Sequence, residues 1–161
     1  MGGGGDVAHV LTIAVRARGE QGFVVALEED LPGTALPIRG EGLLALEAEG
    51  LRACATPREY GLRLGEALFV GATLAAWQRA RARGRERLHV VLAIEAPELR
   101  TLRWERLCAP LGERWDFVRC DQRTPFTLHV ASDSDRDYQP PSPGEPPRVL
   151  LLVTSQTDLA D

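Results

Sequence analysis

Lysine is absent from this 161-residue chain, and all 19 of its basic residues are arginines. The absence excludes Schiff-base catalysis by a lysine side chain and a P-loop phosphate site, because both depend on a lysine amine. Cysteine is scarce as well. Cys54, Cys108 and Cys120 are odd in number and widely spaced, which argues against a disulfide framework and a zinc site of short ligand spacing. We therefore expect no metal and no cofactor.

Long apolar runs are also missing. The longest are 88–94 and 149–153, far short of the roughly 20 residues that cross a bilayer. The N-terminus, residues 1–6, is glycine-rich without a basic flank or an apolar segment, so it is not a secretory signal. We expect a flexible N-terminus and a cytoplasmic protein without membrane contact. The net charge of −4 gives no general attraction to nucleic acid.

The hydrophobic fraction of 44% is sufficient for a folded domain, and its pattern predicts strands. Apolar residues alternate with others over residues 11–15 and again over 23–28, with a glycine turn between them, which is typical of a β-hairpin. Residues 88–95 are apolar at nearly every position and predict a strand that is buried on both faces. Shorter strands are expected at 115–118 and 126–130.

The clearest helix signal is the capping box of Thr56 and Glu59, with proline at the first helical position between them. The apolar stripe that follows predicts one long helix from Thr56 to Arg83, closed by Gly84. Small residues along it would let a neighbouring element approach closely. We also expect a loop at 29–42, a short helix at 43–51 and a helical segment at 97–107.

The C-terminal part predicts a linker and then a strand. Serine, aspartate, proline and glycine dominate residues 131–147, a composition typical of linkers. The five apolar residues of 149–153 favour a central strand covered on both sides of a sheet. Such a strand needs neighbours that residues 155–161 can hardly provide. We therefore expect residues 7–130 to form an α/β part and 148–161 to begin a further, truncated part of a larger unit.

Short motifs occur in a set order along the chain. They are LGEALF at 64–69, APEL at 96–99, LRWERL at 102–107, RTP at 123–125 and RVLLLV at 148–153. Their order and spacing resemble the front half of a CHAT domain, the caspase-like domain often found with tetratricopeptide repeats in prokaryotes. Arg103 and Gln156 stand where the family often has proline, and neither is a position that carries chemistry.

The resemblance implies a caspase-like α/β fold with a mixed or mostly parallel sheet. The chain would supply the N-terminal β-elements, one long helix and the first core strand. The implied activity is cysteine-dependent proteolysis in prokaryotic signalling or antiviral defence, by a glycine-flanked His and a later Cys that both follow the RVLLLV strand. No catalytic residue would then lie in this chain, which would be inactive alone.

The implied partners are the remainder of the CHAT domain or a second processed chain, a sensor or repeat domain, and a protein substrate. Nucleic acid is not expected. Asp161 is compatible with a processing site and equally with a cloning boundary. The alternative hypothesis is a non-catalytic interaction or regulatory module with a CHAT-like front half.

Other candidate sites have plain structural interpretations. A dyad of Cys108 or Cys120 with His129 is conceivable, but no spacing supports it, and core or surface roles are favoured. The arginines at 79–87 could bind an anion or nucleic acid. These arginines stand at every second position, so they do not all lie on one face of a helix. A solvated helix end is therefore favoured. Structural roles are favoured for Trp104, as a packing residue, and for Glu105, which could pair with an arginine or cap a strand end. The aspartates of 133–137 lack the glycine and glutamate of a calcium loop.

Overall fold

The computed structural model of the chain describes residues 9–83 and 87–130. The predicted flexible residues 1–6, the linker at 131–147, the strand at 148–154, Gly84 and Asp161 all lie outside the described residues. The described elements are, in chain order, β1 (His9–Gly19), β2 (Gly22–Asp30), β3 (Ile38–Leu44), α1 (Ala48–Arg52), α2 (Pro57–Leu68), α3 (Gly71–Ala82), β4 (Leu88–Ile94), β5 (Cys108–Leu111), β6 (Arg114–Phe117) and β7 (Phe126–Val130), with 3-10 turns at Pro97–Leu99, Trp104–Arg106 and Val118–Cys120.

Five strands form a mixed sheet in the order β3-β2-β1-β4-β7. β1 pairs with β2, and β2 with β3, in antiparallel fashion. β1 pairs with β4, and β4 with β7, in parallel. β5 and β6 form a separate antiparallel hairpin. The expectation of an α/β fold with a mixed sheet is confirmed.

The predicted β-hairpin is β1 and β2, joined at the pair Gly19 and Gly22. Gly22 has a φ of 142°, and a side chain there would come within 2.7 Å of the Leu44 carbonyl oxygen. Only glycine fits this turn without strain, because it lacks a Cβ. The loop predicted at 29–42 is confined to 31–37, because β2 continues to Asp30 and β3 pairs along β2 from Ile38. The glycines in that stretch indicate a loop, but residues 38–44 pair with the free edge of β2 and form a strand.

The single helix predicted from Thr56 to Arg83 is wrong, because two helices occupy this stretch. Thr56 caps α2 as predicted, its hydroxyl accepting from the Glu59 amide at 3.1 Å. α2 ends at Leu68, and Phe69 departs from helical geometry with φ −87° and ψ 64°. The Phe69 side chain is buried, with its ring centroid 5.1 Å from that of Trp77. Tertiary packing of one aromatic ring therefore overrides helical propensity.

Gly71 begins α3 with a φ of 49°, a left-handed conformation that glycine tolerates. Two other predicted helices are also shorter than expected. The helix predicted at 43–51 is confined to α1, and the segment predicted at 97–107 contains two separate 3-10 turns.

One face of the sheet carries the main hydrophobic core. Leu11, Ile13 and Val15 of β1 point into it and are at most 1% exposed. The buried residues of α2 and α3 join this cluster, together with Leu99 and Trp104 from the segment after β4. In α2, Gly61 and Gly65 lie directly against the backbone of Arg106 and Cys108. The predicted close approach to small helix residues is therefore present. No helix within 9–83 and 87–130 is long and apolar enough to cross a membrane.

Candidate functional site

The face of the sheet opposite the core is the most extensive candidate site. Because alternate residues of a strand point to opposite faces, the pairing registers define its rows. One row consists of Glu41, Ala26, Ala14, Ala93 and His129, and the next of Arg39, Glu28, Thr12, Val91 and Thr127. The buried residues of α2 and α3 belong to the core on the other side. We call this surface the open face.

A groove of about 830 Å³ runs over the open face. Its floor is formed by Ala14, Ala26 and Ala93, which are neighbours on three adjacent strands. Ala14 is only 7% exposed. A sheet face that stays in water normally carries polar residues, because the apolar residues of each strand point to the opposite face. Here three alanines form the floor of the groove, with Thr12 beside them, and the charged residues lie around this floor.

Charged residues line the border of the groove. Arg39 Nε donates to Glu28 Oε2 at 3.0 Å, and Arg16 Nε lies 3.5 Å from Glu95 Oε2. Both pairs are well exposed, so each contributes little to stability. Glu41 is exposed as well, and it forms no hydrogen bond or ion pair with any described residue. With Asp30 in the row of Val10, the open face has four carboxylates against two arginines.

A buried charged cluster lies on the core side of the sheet, centred on Glu29. This carboxylate is 1% exposed. Its Oε1 accepts from His9 Nε2 at 3.0 Å and from Arg83 Nη1 at 2.9 Å, and its Oε2 accepts from Arg79 Nε at 2.9 Å. An ionised carboxylate only accepts hydrogen bonds, so His9 carries its proton on Nε2. With three donors satisfied, Glu29 binds α3 to β1 and β2 and is not free to act as a base.

A second ion pair holds the opposite side of α3. Arg81 Nη1 donates to Asp121 Oδ2 at 2.7 Å and to Thr124 Oγ1 at 2.8 Å. Burial alone would raise the pKa of Asp121. The hydrogen bonds from Arg81, Thr124 and the Arg123 amide outweigh it, so the pKa lies below its usual value. The threonine of the RTP motif therefore has a structural partner.

The arginines of α3 and Arg83, which follows it as the C-cap, are consequently paired with carboxylates. Arg79 and Arg83 are four residues apart, so they lie on one side of the helix and reach Glu29, while Arg81 points to Asp121. This arrangement differs from a solvated helix end, and it leaves little free positive charge for an anion. Of the other arginines in the predicted patch, Arg87 is exposed and position 85 lies outside the described residues.

No cysteine makes a hydrogen bond to a histidine in the described part of the chain. His9 bonds to Glu29, and His89 Nε2 lies 2.8 Å from the hydroxyl of Thr127. Cys108 is buried in β5, its Sγ 3.8 Å from the carbonyl oxygen of Arg106, and burial raises the pKa of this thiol. A thiol of raised pKa is a poor nucleophile.

The members of the conceivable dyad lie on different elements. Cys120 is an exposed thiol in the turn after β6, whereas His129 is an exposed residue of β7. Neither cysteine makes a hydrogen bond to His129 among the residues described. Cys54 is half-buried and lies 3.6 Å from the carbonyl oxygen of Gly50. Each cysteine therefore has an ordinary structural setting.

The tryptophan of the LRWERL motif is a packing residue. Trp104 is fully buried, and its Nε1 donates to the carbonyl oxygen of Leu99 at 2.8 Å. Glu105 beside it is exposed, 4.0 Å from Arg106 Nε. A buried indole with a satisfied N–H favours packing over ligand binding.

Sequence reasoning missed both the Glu29 cluster and the open face. A signal for the first was present, because the inward positions Phe23, Val25 and Leu27 continue in steps of two to Glu29. A signal for the second was the alanine at outward positions of three strands. In the described residues no group of three or more His, Cys, Asp or Glu is arranged to hold a metal ion. No family model, no curated protein and no solved structure matches this chain.

Proposed function

We propose that this chain is the N-terminal, non-catalytic part of a CHAT-type caspase-like cysteine protease that acts in prokaryotic signalling or defence. The observation that carries the proposal is the ordered set of motifs between residues 64 and 153 that resembles this family. Three of these motifs have structural roles that suit a scaffold. Gly65 lies against β5, Trp104 is buried, and Thr124 anchors Arg81.

The settings of the cysteines support the assignment of catalysis to another part of the protease. In a cysteine protease, a thiolate paired with a histidine attacks the scissile carbonyl and forms an acyl-enzyme. Burial raises the pKa of Cys108, which disfavours the thiolate. The remaining described cysteines make no hydrogen bond to a described histidine. We therefore assign the His and Cys of the reaction to the part of the protease that follows the RVLLLV segment.

The test is made on the protein as the cell produces it. Denaturing intact-mass analysis should find either a longer polypeptide or a second one carrying a glycine-flanked His and a later Cys. That assembly should cleave protein substrates once its activating signal is present. Replacing Cys54, Cys108 and Cys120 together by alanine should leave the turnover of the folded assembly unchanged. Cleavage by the isolated 161-residue chain, or loss of turnover in the folded triple variant, would contradict the proposal.

A second function is favoured by the open face. Its apolar floor and charged border suit a non-catalytic interaction or regulatory module that uses a CHAT-like front half for docking. This function predicts a stoichiometric complex between the folded chain and a partner protein, without peptidase activity in the complex. Size-exclusion chromatography with light scattering measures that stoichiometry. A complex that also hydrolyses its partner would favour the protease proposal instead.

A further inference from the structure

We propose that the open face binds an amphipathic α-helix of another polypeptide, with arginine or lysine along its flanks. The inference deepens the interaction function and rests on it, but it does not depend on the protease proposal. Three features of the open face carry it: its dimensions, its alanine floor and its excess of carboxylates.

The dimensions of the open face suit a helix. β1 pairs in parallel with β4 from His9 to Val15, which is about 23 Å at 3.3 Å per residue. A helix of about 15 residues has the same length at 1.5 Å per residue. All-parallel sheets are generally covered by helices on both faces, and three of the five strands here follow that pattern. β1, β4 and β7 are parallel, and the described helices α2 and α3 occupy only the core side.

The floor of the groove allows a close approach. Ala14, Ala26 and Ala93 lie side by side across β2, β1 and β4, so a helix would contact the sheet without displacing large side chains. Val10, Val24 and Val91 are half-buried residues of the same face and extend the apolar area. Covering these residues removes apolar surface from water, which stabilises the complex in proportion to the area covered.

The charges of the border select the partner. Glu41 has no partner among the described residues, and Glu28 and Glu95 share only exposed ion pairs with Arg39 and Arg16. A helix with basic flanks would provide cations to these carboxylates. A second copy of the chain is disfavoured, because packing two open faces together would bring acidic borders against each other, and the chain itself has a net charge of −4.

The experiment uses the ¹⁵N-labelled 161-residue chain and two synthetic 16-residue helical peptides with the same leucine and alanine stripe. One peptide carries lysines on its flanks, and the other carries glutamates. We expect the lysine peptide to bind with a dissociation constant of about 100 µM or lower and the glutamate peptide at least about tenfold more weakly. The changes in amide chemical shift that the lysine peptide causes should be concentrated in β1, β2 and β4.

Two variants test the location of the peptide. Ala26→Trp fills the groove and should weaken binding by about tenfold or more, whereas Ala53→Trp, at an exposed position after α1, should not. Glu41→Lys should weaken binding by about threefold to tenfold. Its matched control is Glu113→Lys in the β5–β6 turn, which makes the same charge change away from the open face. Circular dichroism verifies that each variant is folded.

Several outcomes would overturn the inference. The inference is wrong if neither peptide binds at concentrations up to about 1 mM. It is also wrong if the two peptides bind with the same dissociation constant. If binding persists unchanged in Ala26→Trp and Glu41→Lys, the partner surface lies elsewhere. In that case the interaction function survives while the open face loses its assigned role. Proteolysis by the full assembly is a separate readout, so failure here leaves the protease proposal intact.

Discussion

Glu29→Gln is the substitution that best measures how the charged cluster supports the fold. The change keeps the shape of the side chain and removes the charge shared by His9, Arg79 and Arg83. A glutamine oxygen can still accept, but its amide group cannot accept from an arginine. At least one charge-assisted hydrogen bond is therefore lost, and such bonds contribute about 1.5–3 kcal/mol each.

The exposure of the arginines limits the expected loss. Arg79 and Arg83 are 42% and 37% exposed, so water can rehydrate part of the charge that Glu29 releases. We therefore expect the free energy of unfolding to fall by about 2–3 kcal/mol. In a chain of this size, that corresponds to a decrease in Tm of about 4–12 °C. Urea unfolding followed by tryptophan fluorescence measures the free energy.

The neighbouring residue gives a matched control. Glu28 is also in β2, but it points to the open face and pairs with Arg39, which is 74% exposed. Glu28→Gln should therefore change the free energy of unfolding by less than about 0.5–1 kcal/mol. The reasoning would be refuted if Glu29→Gln lowered the free energy of unfolding no more than Glu28→Gln does.

Three further predictions follow from the packing and the pKa shifts. Gly65→Ala should destabilise the chain by about 2–4 kcal/mol in urea unfolding, because a Cβ there would meet the backbone of Cys108; an unchanged stability would contradict this packing. Asp121→Asn should lower stability at pH 7. Because the folded-state pKa of Asp121 is below the ordinary 3.8, its stabilisation is present above that value and lost as the pH falls through the lowered pKa, so the difference from wild type should disappear in acid unfolding series. In thiol labelling of the folded chain, exposed Cys120 should react at least about tenfold faster than buried Cys108; equal rates would refute the burial of Cys108.

Local sequence patterns predict an element correctly where the tertiary contacts of that element favour the same structure. The hairpin of β1 and β2 was predictable because alternation and a glycine turn both indicate it. The N-cap of α2 was predictable because the interaction of Thr56 with Glu59 is local. The helix break was not predictable from local pattern, since Phe69 leaves the helix to contact Trp77 and Trp115, and the second contact is with a residue distant in sequence.

The candidate sites depend on the pairing of β-strands, which the sequence alone does not reveal. β3 contains Gly40 and Gly42, which indicate a loop when the segment is considered alone, yet it pairs with β2 over seven residues. Because these glycines indicate a loop, the sequence alone predicts that the strand β2 ends before Glu29. The alanines of the open face could be seen in the sequence, but their alignment across three strands requires the register.

The helix α3 connects these observations. Through Arg79 and Arg83 it holds Glu29 of β2, and through Arg81 it holds Asp121 in the turn that leads to β7. β2 and β7 lie on opposite sides of the central pair β1 and β4, so one helix fixes both flanks of the sheet from the core side. A surface held in this way loses little conformational freedom when a partner binds, which favours affinity. Weakening the Glu29 cluster should therefore lower the affinity of the open face for its partner, although no residue of the cluster lies on that face.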